Sequence, residues 1–227
     1  LFERTKQEKD LLKKLTKQLK ELEKEQADLE CNKLYEDAFE WRFEFPQLLD
    51  DDGNFVGFDL IIGNPPYGAK LSKEEKKICK ERFSDVHMRT PETSCYFISQ
   101  ALRLATSNNA IVTYIVPNNM FFQNENEKTR EMLAFKNQLI RAINLGDNTF
   151  ENADVPTCIF ICKTGLSSEY SIQYSDYRSY NVRNIDWYDK LAPTATDLLK
   201  TVPNFVIGMS NNDISILNTI KELRGAI

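Results

Sequence analysis

Leucines at alternating spacings of three and four dominate the first part of the chain and are separated by lysine and glutamate. This heptad pattern predicts one long helix. Its seam consists of Leu12, Leu15, Leu19, Leu22, Gln26 and Leu29. Such a seam buries its leucines against another helix, and the rest of the sequence contains no matching heptad. We therefore expect residues 12–29 to bind a partner helix or to self-associate.

Short apolar runs alternate with amphipathic segments from Gly57 to about Gly165. The predicted strands are 58–62, 110–116, 139–145 and 157–163, and the predicted helices are 72–83, 93–106, 125–136 and 212–223. This alternation predicts an α/β fold with a parallel sheet that has helices on both faces. The apolar run before Gly63 also predicts a fully buried parallel strand.

Composition divides the chain into four segments. Residues 1–34 form the heptad helix, 35–56 form an acidic and aromatic connecting segment, and 57–165 form the strand and helix core. Residues 166–227 are rich in tyrosine, serine, arginine and asparagine. Aromatic residues interleaved with basic ones suit contact with nucleic acid. A β-rich subdomain whose tyrosines pack on one another would have the same composition.

The charge distribution limits the possible partners. A net charge of −5 argues against a uniformly basic nucleic-acid binder. Basic residues are nevertheless in excess after residue 69, where Lys70, Lys73 and Lys77 are candidate contacts to a DNA backbone. The solvated face of a helix explains these lysines equally well.

Cysteine usage and hydropathy indicate the class of environment. The five cysteines have no metal-ligand spacing, so we expect no metal site. Cys158 and Cys162 alternate with Phe160 on one side of a predicted strand, which indicates buried thiols in a reducing, cytoplasmic environment. No apolar run approaches the ~20 residues of a membrane span.

The tetrapeptide Asn64-Pro65-Pro66-Tyr67 follows the first predicted strand and carries the clearest chemical signal. Two prolines fix φ and stiffen the loop. An exocyclic amine has two N–H donors, which the Asn64 side-chain oxygen and the Pro65 carbonyl can accept. Tyr67 supplies an aromatic face for a planar ring. The motif therefore predicts methyl transfer to an amino group, and a simple proline turn after a strand is the structural alternative.

These four residues resemble the catalytic motif of the N6-adenine DNA methyltransferases. Further stretches resemble the catalytic half of the type II restriction-modification methyltransferases, including type IIG enzymes; they are 115–119, 129–133 and 150–157. The resemblance implies a partial Rossmann-like methyltransferase sheet in 57–165. It also implies that 166–227 begin a target-recognition region.

The resemblance further implies the cofactor, the partner and the site residues. S-adenosyl-L-methionine is the expected cofactor, and double-stranded DNA with a flipped adenine is the expected substrate. Asn64 and Pro65 accept hydrogen bonds from the amine, while Tyr67 and Phe150 stack on the base. A role as a core anchor stays open for Phe150.

One departure from this family concerns the cofactor. Such enzymes hold S-adenosylmethionine on a glycine-rich turn, but no two of the eight glycines here are spaced as G-x-G. The chain also begins at Leu1. We therefore expect a fragment without the cofactor half, which binds the cofactor poorly and is inactive alone. Methylation of RNA or of a protein glutamine, and a non-catalytic assembly module, remain alternative functions.

Overall fold

The computed structural model of the chain describes most of the residues up to 178 and parts of the remainder. The described ranges are 6–30, 39–89, 92–106, 108–147, 149–150, 155–167, 170–178, 192–195, 207 and 210–225. They belong to two compact units, Leu1–Phe55 and Val56–Ile227. None of the helices in these ranges has the length and hydropathy needed to cross a membrane.

The first unit is dominated by the predicted heptad helix. This helix, α1, spans Lys6–Glu30 and forms a single uninterrupted element. The leucines of its seam from Leu12 to Leu22 are 45–62% exposed. The seam is therefore a continuous apolar stripe that faces solvent in the described structure.

An aromatic cluster forms the rest of the first unit. Helix α2 spans Trp41–Glu44, and the Trp41 ring stacks on Phe45 with 5.7 Å between the ring centroids. Phe39 meets the same indole edge-on at 4.7 Å. A bridge between Leu49 and Phe55 then closes a turn.

Six strands form one sheet in the described part of the second unit, in the order β1-β2-β4-β3-β5-β6. The strands are β1 (Leu60–Gly63), β2 (Ile111–Pro117), β3 (Gln138–Gly146), β4 (Thr157–Lys163), β5 (Ser171–Asp176) and β6 (Ala192–Ala195). The helices described in this unit are α3 (Lys73–Arg82), α4 (Thr93–Leu104), α5 (Glu127–Phe135) and α6 (Asn211–Gly225). The predicted α/β class is confirmed.

The direction of one central strand differs from the prediction of a parallel sheet. β1 and β2 are parallel, as are β3 and β5, but β4 lies antiparallel between β2 and β3. A parallel connection needs a crossover of about a dozen residues or more, usually a helix. The connection 147–156 is too short for one, so β4 returns antiparallel beside β3.

One face of the sheet holds the main core. Helices α4 and α5 pack there through Ile98 and Leu133, both fully buried. The strands contribute Cys158, Phe160 and Cys162, which are also fully buried, as their alternation predicted. The thiols act as small apolar groups, and burial raises the pKa of Cys162 to about 12.

The opposite face is partly open, so the prediction of a fully buried motif strand is wrong. Leu60 and Ile62 of β1 are 59% and 75% exposed, and only Ile61 packs against the core. Hydrophobic composition shows that a strand can be buried on both faces, but it does not show that both faces are covered. In the described structure this face of β1 stays open to solvent.

The sheet and its core continue past Gly165. β5 pairs with β3, and Ile172 of β5 lies in the main core together with Ile207 and Ile214. Described parts of the segment 166–227 therefore share a core with 57–165. Much of its aromatic-rich part, 179–191, lies outside the described residues, so its role in recognition stays a prediction.

We expect Gly57→Ala to destabilise the second unit by about 3 kcal/mol or more. Gly57 has φ +95°, and an added Cβ would lie 2.7 Å from the backbone nitrogen of Thr106, which cannot move without breaking its bond to Phe58. Urea denaturation followed by circular dichroism measures the change.

The matched control is Gly165→Ala. Gly165 has a similar φ of +93°, but its added Cβ would meet the side-chain oxygen of Asn108, which can swing away. This variant should lose roughly 1 kcal/mol, the conformational cost alone. Equal losses in the two variants would contradict the backbone clash at Gly57.

Candidate active site

The strand registers bring three loops to one edge of the sheet. Thr157, the first residue of β4, pairs with Pro117 at the end of β2 and with Gly146 at the end of β3. Because β1 is parallel to β2, the chain also leaves β1 at this edge, where Asn64 follows Gly63. We call it the carboxyl edge. Ligands of α/β sheets bind at such edges.

The motif loop, Asn64-Pro65-Pro66-Tyr67, presents its groups unequally. Asn64 is exposed, Pro65 is buried and Tyr67 is half-buried. Within the described part of the chain, neither the Asn64 side chain nor the Pro65 carbonyl takes part in a hydrogen bond. Neither acceptor is therefore engaged by another described residue.

Residues at the start of helix α4 hold the motif loop through hydrogen bonds. The Thr93 Oγ1 hydroxyl donates to the carbonyl of Pro66 at 2.9 Å and accepts from the N–H of Ala69 at 3.4 Å. The Glu92 Oε1 accepts from the N–H of Gly68 at 2.7 Å. The sequence predicted a helix from residue 93 but gave no signal for these contacts.

A buried amide organises the loop that follows β2. The Asn144 Oδ1 accepts from the Asn118 amide at 3.2 Å and from the N–H of Gly146 at 3.2 Å. Its Nδ2 donates to the hydroxyl of Tyr174 at 3.4 Å. Asn144 thereby joins the ends of β2 and β3, and sequence analysis did not identify it.

Arg130 is the largest fully buried side chain in the described structure. Its Nη1 donates to the carbonyls of Met120 at 3.0 Å and Gln123 at 2.6 Å. Burial lowers the pKa of the guanidinium to about 10, so it stays charged at neutral pH. The Gln123 carbonyl also accepts from the N–H of Asn126 at 3.1 Å, so the guanidinium holds the loop after β2 by adding charge-assisted hydrogen bonds to its backbone.

Phe150 lies half-buried at the carboxyl edge, in the turn between β3 and β4. The turn is held by Thr149, whose Oγ1 donates to the carbonyl of Gly146 at 3.4 Å and accepts from Thr157 Oγ1 at 2.7 Å. No ring contact joins Phe150 and Tyr67 in the described structure. Their joint action on a base stays a prediction.

The three candidate lysines are exposed. Lys73 and Lys77 lie on α3 and Lys70 lies in the loop before it. None of the three forms an ion pair with a described residue. Their charges are therefore available to an anionic partner.

The positive charge extends from α3 to the start of α5 around His87. Burial lowers the pKa of His87, and the nearby ammonium groups of Lys80 and Lys128 lower it further. The His87 Nδ1 lies 2.7 Å from the hydroxyl of Tyr96, whose ring is parallel to the imidazole. These contacts fix the position of the imidazole, so its pKa reports the electrostatic potential around it.

Three comparisons relate the chain to known proteins. A protein of Methanocaldococcus jannaschii named type II restriction enzyme and methyltransferase is 34% identical over 125 residues, which are 54% of this chain and 10% of that protein. The MpnII type I restriction enzyme methylase subunit of Mycoplasma pneumoniae is 22% identical over 134 residues, 57% of this chain and 25% of that one. The chain therefore matches a tenth to a quarter of these curated relatives.

A solved structure and a family profile complete the comparison. The methyltransferase subunit of the type I restriction-modification system of Streptococcus thermophilus is 23% identical, with a TM-score of 0.46, over 74% of this chain and 32% of that one. Residues 2–150 match the profile of the Eco57I restriction-modification methylase family. Because this match extends over more than half of the chain, the chain belongs to the Eco57I restriction-modification methylase family.

Proposed function

We propose that the chain is the catalytic half of a DNA adenine-N6 methyltransferase of a restriction-modification system, with S-adenosyl-L-methionine as the methyl donor. One observation carries the proposal. In a chain of this family, the motif loop leaves β1 at the carboxyl edge with the acceptors of Asn64 and Pro65 unpaired among the described residues.

The chemistry follows from the available atoms. An amine has two N–H donors, which the Asn64 Oδ1 and the Pro65 carbonyl accept while the nitrogen lone pair points away from both. These hydrogen bonds strengthen as the nitrogen becomes positively charged during alkylation. Tyr67 offers a face for the ring that carries the amine, and Phe150 closes on the ring from the β3–β4 turn.

Double-stranded DNA is the substrate class that we favour. The amine of adenine lies inside the duplex, so the base must flip out before it can reach the motif loop. Lys70, Lys73 and Lys77 follow this loop and would contact the phosphates that flank the flipped base. Residues 166–227 would begin the region that reads the DNA sequence.

The residues of this chain do not fit the glycine-rich turn that such enzymes use for the cofactor. An added Cβ would be 2.8 Å from Arg178 at Gly146 and 3.2 Å from Tyr114 at Gly63, so these glycines already serve close packing. We infer that another part of the parent protein binds S-adenosylmethionine. The chain alone would bind it weakly and would not methylate DNA.

The alternative functions share the tetrapeptide but lack other support. RNA methylation or glutamine methylation would use the same acceptors in the motif loop, yet neither belongs to the restriction-modification family that residues 2–150 match. An assembly role has one supporting observation, the exposed leucine seam of α1. We propose that this seam binds a second helix in addition to the catalytic role of the second unit.

Asn64→Ala in the full-length parent should lower the rate of methyl transfer to DNA by 10²–10³-fold, about 3–4 kcal/mol. The affinity for S-adenosylmethionine should change little, because Asn64 contacts only the amine. Incorporation of a tritiated methyl group measures the rate, with RNA and a glutamine-containing protein as parallel substrates. Gln18→Ala, which changes an exposed amide on α1 outside the leucine seam, is the control and should retain full activity.

Activity on RNA or protein but not on DNA would contradict the proposed substrate, and full activity of Asn64→Ala would contradict the proposed site.

Tyr67 variants then test the stacking role. Tyr67→Ala should weaken capture of the flipped base by about 1–3 kcal/mol through lost stacking, whereas Tyr67→Phe keeps the ring and should be mild. Equal effects in both variants would assign the role to the hydroxyl.

His87 should titrate below its usual pKa of 6.5, because burial and two lysines oppose its protonation. As the only histidine, it gives a single imidazole signal in an NMR titration of the chain. Lys80→Gln should raise the pKa, and Lys163→Gln on β4, whose ammonium group does not act on the imidazole, should leave it unchanged. A pKa at or above 6.5 would contradict the positive potential around this loop.

The same shift predicts the pH dependence of stability. Because the pKa of His87 is lower in the folded state, its contribution is present above pH 6.5 and is lost as pH falls through the folded pKa. His87→Gln should therefore lose less stability than the wild type on acidification, which urea denaturation at several pH values measures.

Leu15→Lys with Leu22→Lys should abolish association through α1, because the seam would then have to bury two charges. Light scattering of the parent protein, or of its complex with a helical partner, measures the mass. The control adds the same charge outside the seam with Gln7→Lys and Gln18→Lys. An unchanged mass in the seam variant would show that α1 makes no such contact.

A further inference from the structure

The first turn of α4 holds the backbone on both sides of Tyr67. The carbonyl of Pro66, just before Tyr67, accepts from the Thr93 hydroxyl at 2.9 Å. The N–H groups just after it, on Gly68 and Ala69, donate to Glu92 at 2.7 Å and to Thr93 at 3.4 Å. These three hydrogen bonds join residues 24 to 27 positions apart and link the loop to the start of α4.

Thr93 is itself held firmly. The residue is only 5% exposed, and the same helix places the fully buried Ile98 in the main core. The helix cannot shift without opening that core, since packed interiors leave little free volume. Because the core fixes the position of Thr93, the hydrogen bonds of Thr93 fix the position of the motif loop relative to the core.

The loop needs this support where it reverses direction. Gly68 has φ +68°, and a Cβ there would meet nothing within 4 Å, so glycine is required by conformation and not by space. The turn leaves the N–H groups of Gly68 and Ala69 pointing at α4. Without their acceptors, these groups would have to find other partners and Tyr67 could pivot.

We propose that Thr93, assisted by Glu92, is a positioning residue for methyl transfer: it fixes Tyr67 and the acceptors before it at the distance that the target amine requires. The inference rests on the proposed function and deepens it. Thr93 acts through the loop and does not itself touch the base. A displacement of about 1 Å in such a constellation costs about 10²-fold in rate.

Thr93→Val in the full-length parent tests the proposal, because valine keeps the shape of threonine and removes the hydroxyl. We expect kcat for DNA methylation to fall by about 10²-fold. The affinity for DNA should change little, since phosphate contacts supply most of it. Thr93→Ser restores the hydroxyl and should restore most of kcat.

Thr164→Val is a matched control at the other end of the sheet. Thr164 is also buried, and its Oγ1 likewise donates to a backbone carbonyl, that of Thr106 at 2.9 Å, and accepts from a backbone N–H, that of Ala110 at 2.9 Å. Its loss should lower stability to a similar degree. It should leave kcat unchanged.

Hydrogen exchange supplies a measurement that is independent of activity. In the parent protein, the amides of Gly68 and Ala69 should exchange faster in Thr93→Val than in wild type, in Thr93→Ser or in Thr164→Val. Wild-type kcat in Thr93→Val, or an equal fall of kcat in Thr164→Val, would overturn the positioning role. If the wild-type parent does not methylate DNA, the proposed function fails, while the exchange rates still decide whether Thr93 fixes the loop.

Discussion

The insertion of β4 between β2 and β3 is the constraint on which the rest of the site depends. Backbone N–H and C=O groups in a sheet interior must be paired, and β4 pairs with a strand on each side. Thr157 is thereby paired with both Pro117 and Gly146, and its hydroxyl donates to the Thr149 hydroxyl in the β3–β4 turn. The turn that carries Phe150 and the loop after β2 consequently meet the same edge as the motif loop.

The sequence predicted the elements well because their signals are local. Ser72 caps α3, which begins at Lys73, and the capping box that Ser72 forms with Glu75 is complete. The direction of β4 was not predictable from periodicity, because alternation is the same in both pairings. The exposure of Leu60 depends on what covers it, which composition does not specify. The hydrogen bond from Thr93 to Pro66 joins segments that are far apart in sequence. From the sequence alone, Thr93 was therefore indistinguishable from a threonine that merely begins a helix.

Two loops of the site rest on helices that pack on the same face of the sheet. Helix α4 holds the motif loop through Thr93, and α5 holds the loop after β2 through Arg130. The two helices are linked by a hydrogen bond: the Cys95 thiol on α4 donates to the Oδ1 of Asn126, just before α5, at 3.2 Å. A disturbance of this helical layer would therefore affect both loops together, whereas the partly open opposite face supports neither.

The backbone of the motif loop differs in how many hydrogen-bond donors and acceptors it can offer to a ligand. Pro65 and Pro66 have no N–H, and the N–H groups of Gly68 and Ala69 are already engaged by α4. The loop backbone consequently offers a ligand more lone pairs than protons. A ring with an amino group meets complementary atoms there, whereas a ring with a keto oxygen at the same position would set oxygen against oxygen. Under the function proposed above, the two prolines would thus contribute to the choice of base as well as to the stiffness of the loop.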